Sequence, residues 1–205
     1  MKGIFVSLDG VDGAGKTTQI KLLINWYEQR GRQVLSLRDP GGTKLGESLR
    51  EILLHRQEIP LAMKSEMLLY MASRAQLVAE VIQPNLLSGH VVISDRYLLA
   101  NVVYQGCAGG ENVEQIWQVG HIATGGLLPH LTCILDLPVE ISMARLTGGL
   151  DRLESRGLEY MHRVRQGFLD QASHMGSAVE IVDAQLEPQQ IHHRIVAALE
   201  ARGLA

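Results

Sequence analysis

Cysteine is scarce in this chain: Cys107 and Cys133 are the only two, and neither their number nor their spacing suits a disulfide framework or a tetrahedral metal site. Both are expected to be small buried hydrophobes in a reducing compartment. No apolar stretch is long enough to cross a bilayer, and the opening "MKGIFVSLDG" is too short for a secretory leader. These absences argue against a membrane partner and for a cytoplasmic setting. No repeat period or low-complexity tract occurs. The net charge of -3 argues against a broad basic face for duplex nucleic acid, and the guanine-reading pattern N-K-x-D is missing. The eight histidines lack ligand spacing, and the adjacent His192 and His193 point to different sides of a helical pattern.

What is present is ordinary globular material. The 205 residues are 46% hydrophobic and 20% charged, enough for one domain over 1–205 with at most a small lid. Arginine outnumbers lysine 14 to 5, and the flat guanidinium fork is the side chain that holds phosphate with paired hydrogen bonds.

Short β-branched runs alternate with amphipathic stretches, as in an open parallel sheet covered by helices. Strands are expected at "GIFVSLDG", "QVLSLRD", "HVVISDRY", "LTCILDLP" and "AVEIVDA". Helices are expected over residues 16–29, around 45–54, 64–87, 113–124, at "EISMARL", and over 158–175 and 188–202, with "TGGLDRLESRG" as a charged loop. A five-stranded α/β domain of this kind binds its ligands at the carboxyl ends of the strands.

The first strand runs straight into "LDGVDGAGKTTQ", where Gly10, Gly15, Lys16 and Thr17 fit G-x-x-x-x-G-K-[ST] and open a helix. Successive backbone N–H groups of Gly10, Asp12, Gly13, Ala14, Gly15, Lys16, Thr17 and Thr18 can then converge on the phosphates of a nucleoside triphosphate. Lys16 would neutralise the β- and γ-phosphates, and the Thr17 hydroxyl would ligate Mg²⁺. Such a loop identifies a donor and says nothing about the acceptor. Two further strand ends bear on that. Arg38 precedes a Pro-Gly-Gly turn, and Asp95-Arg96 ends the third strand, where an acidic residue commonly supports Mg²⁺.

Together "LDGVDGAGKTTQ", "RDPGGT", "LLYMASRAQL", "VVISDRYLLANVVYQG", "LTCILDLP" and "DRLE" resemble the thymidylate kinase family in order and setting, over nearly the whole chain. The resemblance implies a P-loop nucleoside monophosphate kinase fold with a short lid at about 145–157. It also implies phosphorylation of dTMP by ATP and Mg²⁺ to give dTDP, in a homodimer. Arg38 and Arg96 match arginines that clamp the acceptor's 5′-phosphate. Asp9 matches an acid near the sugar 3′-hydroxyl and the metal, and Asp95 the Mg²⁺-side aspartate. Tyr70 stands where a ring stacks on thymine, although periodicity alone makes it a core residue. Arg74 matches the donor to the base carbonyl, and Tyr104 and Gln105 match residues beneath sugar and base.

The sequence also departs from that family. The position where some members carry a catalytic arginine inside the phosphate loop is Gly13, so a lid arginine is expected, either Arg152 or Arg145, the latter also a candidate for adenine stacking. The usual "REPGGT" is "RDPGGT", which places Asp39 where a longer acid helps seat Arg38. The hydroxyl pair after "DRY" is replaced by Ala100 and Asn101, of which Asn101 can still bond the base edge. The adenine pocket is expected near Ala184 and Gln185. Two other readings remain at this point: a kinase for another pyrimidine monophosphate, and a nucleotide-binding regulator without a small-molecule acceptor.

Overall fold

A computed structural model describes residues 2–56, 58–145 and 152–205. Its centre is a run that leaves no room for water. All six residues of β1 (Ile4–Asp9) are buried, because β1 lies between two parallel neighbours under helices on both faces. The sheet order is β2-β3-β1-β4-β5, with β2 (Val34–Arg38), β3 (Val91–Asp95), β4 (Leu131–Asp136) and β5 (Val179–Asp183). Val6 is in register with Ile93 on one side and Leu131 on the other. The edge strands β2 and β5 are only partly buried.

Side chains of β1 alternate between the two faces. Ile4, Val6 and Leu8 join a core with α1 (Lys16–Glu28), α8 (Leu158–Met175) and α9 (Pro188–Ala201). Phe5 joins the opposite core with α3 (Met63–Leu77) and α6 (Val113–Thr124). Parallel pairing then brings the last residues of all five strands, Asp9, Arg38, Asp95, Asp136 and Asp183, to one edge of the sheet. That edge carries the site.

The expected strands and most helix ends hold. The stretch expected around 45–54 is α2 (Lys44–Arg50) prolonged by a π-helical turn over Glu51–His55. The long helix expected over 64–87 is α3, a π turn over Val78–Ile82, and α4 (Gln83–Leu87). "EISMARL" lies in α7 (Val139–Arg145). One helical stretch was not foreseen: α5 (Leu98–Asn101) and a π turn over Val102–Cys107 follow β3 directly. Its residues Leu98 to Gly106 are all buried, so no polar face marks the helical period. Cys133 is buried and Cys107 half-buried; His192 is buried and His193 exposed.

Candidate active site

The loop between β1 and α1 is shaped for anions by what it lacks. Gly15 stands at the head of α1 with φ 94°, no side chain caps the helix, and no acidic residue occupies its first turn. The N-terminal N–H groups and the helix dipole therefore face the loop without an internal competitor. Gly13 has φ 74°, and a Cβ there would lie 2.9 Å from the Ser142 carbonyl oxygen of α7. A side chain at this position meets both backbone strain and a collision, which accounts for the glycine there. Arg145 of α7 reaches the same point from outside, its Nη1 donating to the Gly13 carbonyl at 3.1 Å.

Lys16 is buried and donates through Nζ to the carbonyls of Val11 at 3.0 Å and Gly10 at 3.3 Å. Burial, with Arg96 beside it, holds its ammonium below the usual lysine range. Thr17 and Thr18 are exposed on the first turn of α1, while Ala14 is buried.

Arg96 closes β3 in a left-handed conformation, φ 68°, uncommon for a side chain of this size. Its N–H donates to the Leu8 carbonyl at 2.9 Å, and its carbonyl accepts from the Ser94 hydroxyl. The bend turns the guanidinium onto the phosphate loop, where Nη1 donates to Gly10 O at 2.8 Å and Nη2 to Asp12 Oδ1 at 2.7 Å. Its carbon lies 5.1 Å from the Tyr104 ring centre.

Beside these cations stand carboxylates with spare acceptor capacity. Asp9 Oδ1 and Asp95 Oδ1 are buried with no hydrogen-bond partner. Burial pushes Asp9 up to about 6, against the pull of Arg96 and Lys16. No cluster of three or more His, Cys, Asp or Glu occurs among the described residues. That donor set fits Mg²⁺, which keeps several waters and takes one or two carboxylates together with substrate phosphates.

Next to the loop opens a cleft of about 530 Å³, solvent at its mouth included. Asp12, Arg96, Tyr70, Arg74, Asn101, Tyr104 and Gln105 all line it. Tyr70 belongs to a small buried cluster with Leu53 and Leu54, so it is both a core residue and a wall of the cleft. Arg74, one turn further along α3, is 1% exposed and held on all sides. Its Nε donates to Asp39 Oδ2 at 2.5 Å, Nη1 to Asn101 Oδ1 at 3.0 Å and Nη2 to the Tyr97 carbonyl at 3.4 Å. The chain continues inward: Asn101 Nδ2 donates to Gln105 Oε1 at 2.6 Å, and Gln105 Nε2 to Glu66 Oε1 at 2.7 Å. Arg156 Nη2 donates to the other oxygen, Glu66 Oε2, at 2.6 Å.

Three residues lie elsewhere than their sequence pattern implied. Arg38 is not on the cleft wall: it is more than half exposed and donates to Glu47 Oε2 at 2.9 Å. The turn after β2, with its cis Asp39–Pro40 bond, curls back so that Glu47 also accepts from the Gly42 N–H. Asp39 consequently seats Arg74 rather than Arg38. Arg152 donates to the carbonyls of Leu53 at 2.9 Å, Arg56 at 2.5 Å and Ile59 at 3.1 Å, at the C-terminal end of the turn after α2. Of the lid expected at 145–157, residues 146–151 lie outside the described residues. Ala184 is buried with its N–H on the Asp136 carbonyl, and Gln185 is exposed.

Sequence reasoning missed Arg50, which lines the cleft with Nη1 on the Pro40 carbonyl. It also missed Glu66. Spacing could have found both: Arg50 lies four residues after buried Gly46, and Glu66, Tyr70 and Arg74 recur every four residues on one face of α3.

Comparison with known proteins sharpens this picture. A family model described as thymidylate kinase matches residues 8–195. A thymidylate kinase of Rhodopirellula baltica is 44% identical over 195 residues, covering 95% of this chain and 79% of the relative. Another, from Synechococcus sp. strain JA-3-3Ab, is 45% identical and covers 98% of each chain. The crystal structure of thymidylate kinase from Ehrlichia chaffeensis superposes with a TM-score of 0.79 at 27% identity, covering 97% of this chain and 99% of that one.

Proposed function

We propose that this chain, which belongs to the thymidylate kinase family, transfers the γ-phosphoryl group of ATP directly to the 5′-phosphate of dTMP, giving dTDP for dTTP synthesis. The observation that carries the proposal is the run of donors from Arg74 through Asn101 in a cleft that opens onto the phosphate loop. An arginine fork and an amide present N–H groups to a keto pyrimidine, with Tyr70 as the flat wall. Tyr104 and Gln105 fill the space beneath the sugar, and Asp9 offers an acceptor to its hydroxyl.

Phosphoryl transfer asks for in-line placement and positive charge rather than a nucleophilic side chain. In this reading the N–H groups from Gly10 through Thr18, with Lys16, hold the triphosphate. Arg96 lies between that loop and the cleft, suited to contact the acceptor phosphate, and Arg50 approaches from α2. Arg145 supplies charge outside the loop, and Arg152 supplies it when the segment before it covers the nucleotides and excludes water. Arg38 completes the clamp only by leaving Glu47. Thr17 and Asp95 would hold Mg²⁺, which would supply positive charge to the phosphates. One kinase domain over 1–205 with a lid at 145–157, a homodimer and a cytoplasmic location complete the proposal. No helix among the described residues is long and apolar enough to cross a membrane.

The test is Mg-ATP consumption with dTMP, dUMP, dCMP, UMP or no acceptor, with the products separated. Preferential formation of dTDP is expected. Preference for another monophosphate would keep the kinase and reassign its substrate, and turnover independent of acceptor would remove it.

A further inference from the structure

We propose that Glu66 is a positioning residue for base selection: its carboxylate keeps the amides of Gln105 and Asn101 turned so that Asn101 gives its oxygen to Arg74, and the guanidinium seated in this way offers N–H donors to a pyrimidine keto oxygen. The inference rests on the dTMP kinase reading and adds to it a residue that does not itself reach the base.

The argument follows from counting donors and acceptors along the buried chain. Arg156 and Arg74 can only donate, so each end of the chain is fixed. Arg74 requires Asn101 to turn its oxygen outward to the guanidinium, and the Asn101 amide nitrogen must then meet the Gln105 oxygen. Gln105 is left with its NH₂ facing Glu66, whose other oxygen already accepts from Arg156. Two donors thus converge on Glu66 from opposite sides, and it is 1% exposed. Only a group with two acceptor oxygens satisfies both.

A glutamine at the same position has one oxygen. Either Arg156 or Gln105 then faces an NH₂ group, and since Arg156 cannot reverse, the cheaper relief is a flip of Gln105. That flip sets its NH₂ against the NH₂ of Asn101, and a second flip sets Asn101 against Arg74. The conflict moves along the chain and ends at Arg74, which then faces the NH₂ of Asn101 in place of its oxygen and loses the acceptor that seats it on the cleft. A guanidinium unseated in this way no longer holds its N–H groups toward a keto oxygen, and the preference of the cleft for thymine over cytosine weakens.

The experiment measures kcat and KM for dTMP and dCMP in the wild type, in Glu66→Gln, and in the double variant Glu66→Met with Arg156→Met. The double variant removes both charges together, which avoids leaving an unpaired guanidinium and keeps the test informative if Glu66→Gln fails to fold. The dTMP-to-dCMP ratio of kcat/KM is expected to fall by about tenfold or more in the variants, the worth of one net hydrogen bond. The loss should come mainly through KM for dTMP, with kcat within about threefold of wild type. An equal decline for both substrates, or an unchanged ratio, overturns the inference and leaves the kinase reading intact. A wild type that does not favour dTMP over dCMP overturns the choice of dTMP and the inference together, before any variant is made.

Discussion

Arg96 Nη2 donates to Asp12 Oδ1 at 2.7 Å, so the arginine that follows β3 is anchored to the phosphate loop that follows β1. Asp12 also lies 3.6 Å from Lys16 Nζ. One carboxylate is thereby shared by the two cations nearest the loop, while Asp9, a few residues away, has no comparable partner. Against the cost of burial, Arg96 and Lys16 draw Asp12 down to about 2, whereas burial of Asp9 prevails and carries it up to about 6.

The two aspartates therefore act on stability with opposite signs. Asp9 contributes stability that is complete below its ordinary value of 3.8 and is lost as pH rises through about 6. Asp12 contributes stability that is present above 3.8 and is lost as pH falls through about 2. If Asp9 accepts from the sugar hydroxyl as proposed, activity follows its charged form, which alone is a pure acceptor. We expect kcat/KM for dTMP to fall below about pH 6 with a slope of one proton, and the limb to vanish in Asp9→Asn. A wild-type profile that stays flat to pH 5 would detach Asp9 from the reaction.

Asp39→Asn should be costly to the fold. Arg74 is 1% exposed and Asp39 3%, and removing one partner leaves a buried guanidinium without its counter-charge. A loss of about 3 kcal/mol in urea unfolding is expected, together with a raised KM for dTMP. A loss below about 1 kcal/mol would mean that Asn101 and the Tyr97 carbonyl suffice to hold Arg74.

Arg50→Ala separates phosphate binding from folding. Its hydrogen bond to the Pro40 carbonyl is a modest structural anchor, but its position on the cleft wall suits an incoming anion. KM for dTMP should rise about 10- to 100-fold while kcat changes much less. An unchanged KM would restrict Arg50 to holding the turn after β2.

Arg152 offers a choice between two roles, and Arg152→Ala distinguishes them. If it supplies charge to the moving phosphoryl group, turnover should fall about 100-fold with KM for dTMP nearly unchanged. If its work is confined to the carbonyls of Leu53, Arg56 and Ile59, the thermal midpoint falls instead and turnover stays near wild type. We expect the first result.

The parts of the molecule legible in the sequence are those with a period or a fixed motif. Runs such as Val91 to Ile93 announce buried parallel strands, and Gly10 to Thr17 can be read as a phosphate loop because the backbone itself makes the site. The helix from Leu98 escaped because burial all round erases amphipathic contrast. Arg38 and Arg152 show a different limit. Their residue type suits phosphate, yet the structure commits them to Glu47 and to backbone carbonyls, partners that depend on how a turn folds back and on which helix ends nearby. Glu66 was hidden because an acid in the first turn of a helix reads as a surface residue favoured by the dipole.

The crowding at Gly13 bears on how this enzyme could be recombined with its relatives. A loop carrying a side chain at that position cannot be spliced in alone, because the Ser142 carbonyl occupies the space it needs. Nor can α7 be exchanged alone without giving up the contact from Arg145. Loop and helix, some 130 residues apart in the chain, thus form one exchangeable part, and chimeras should be cut so that both come from the same parent.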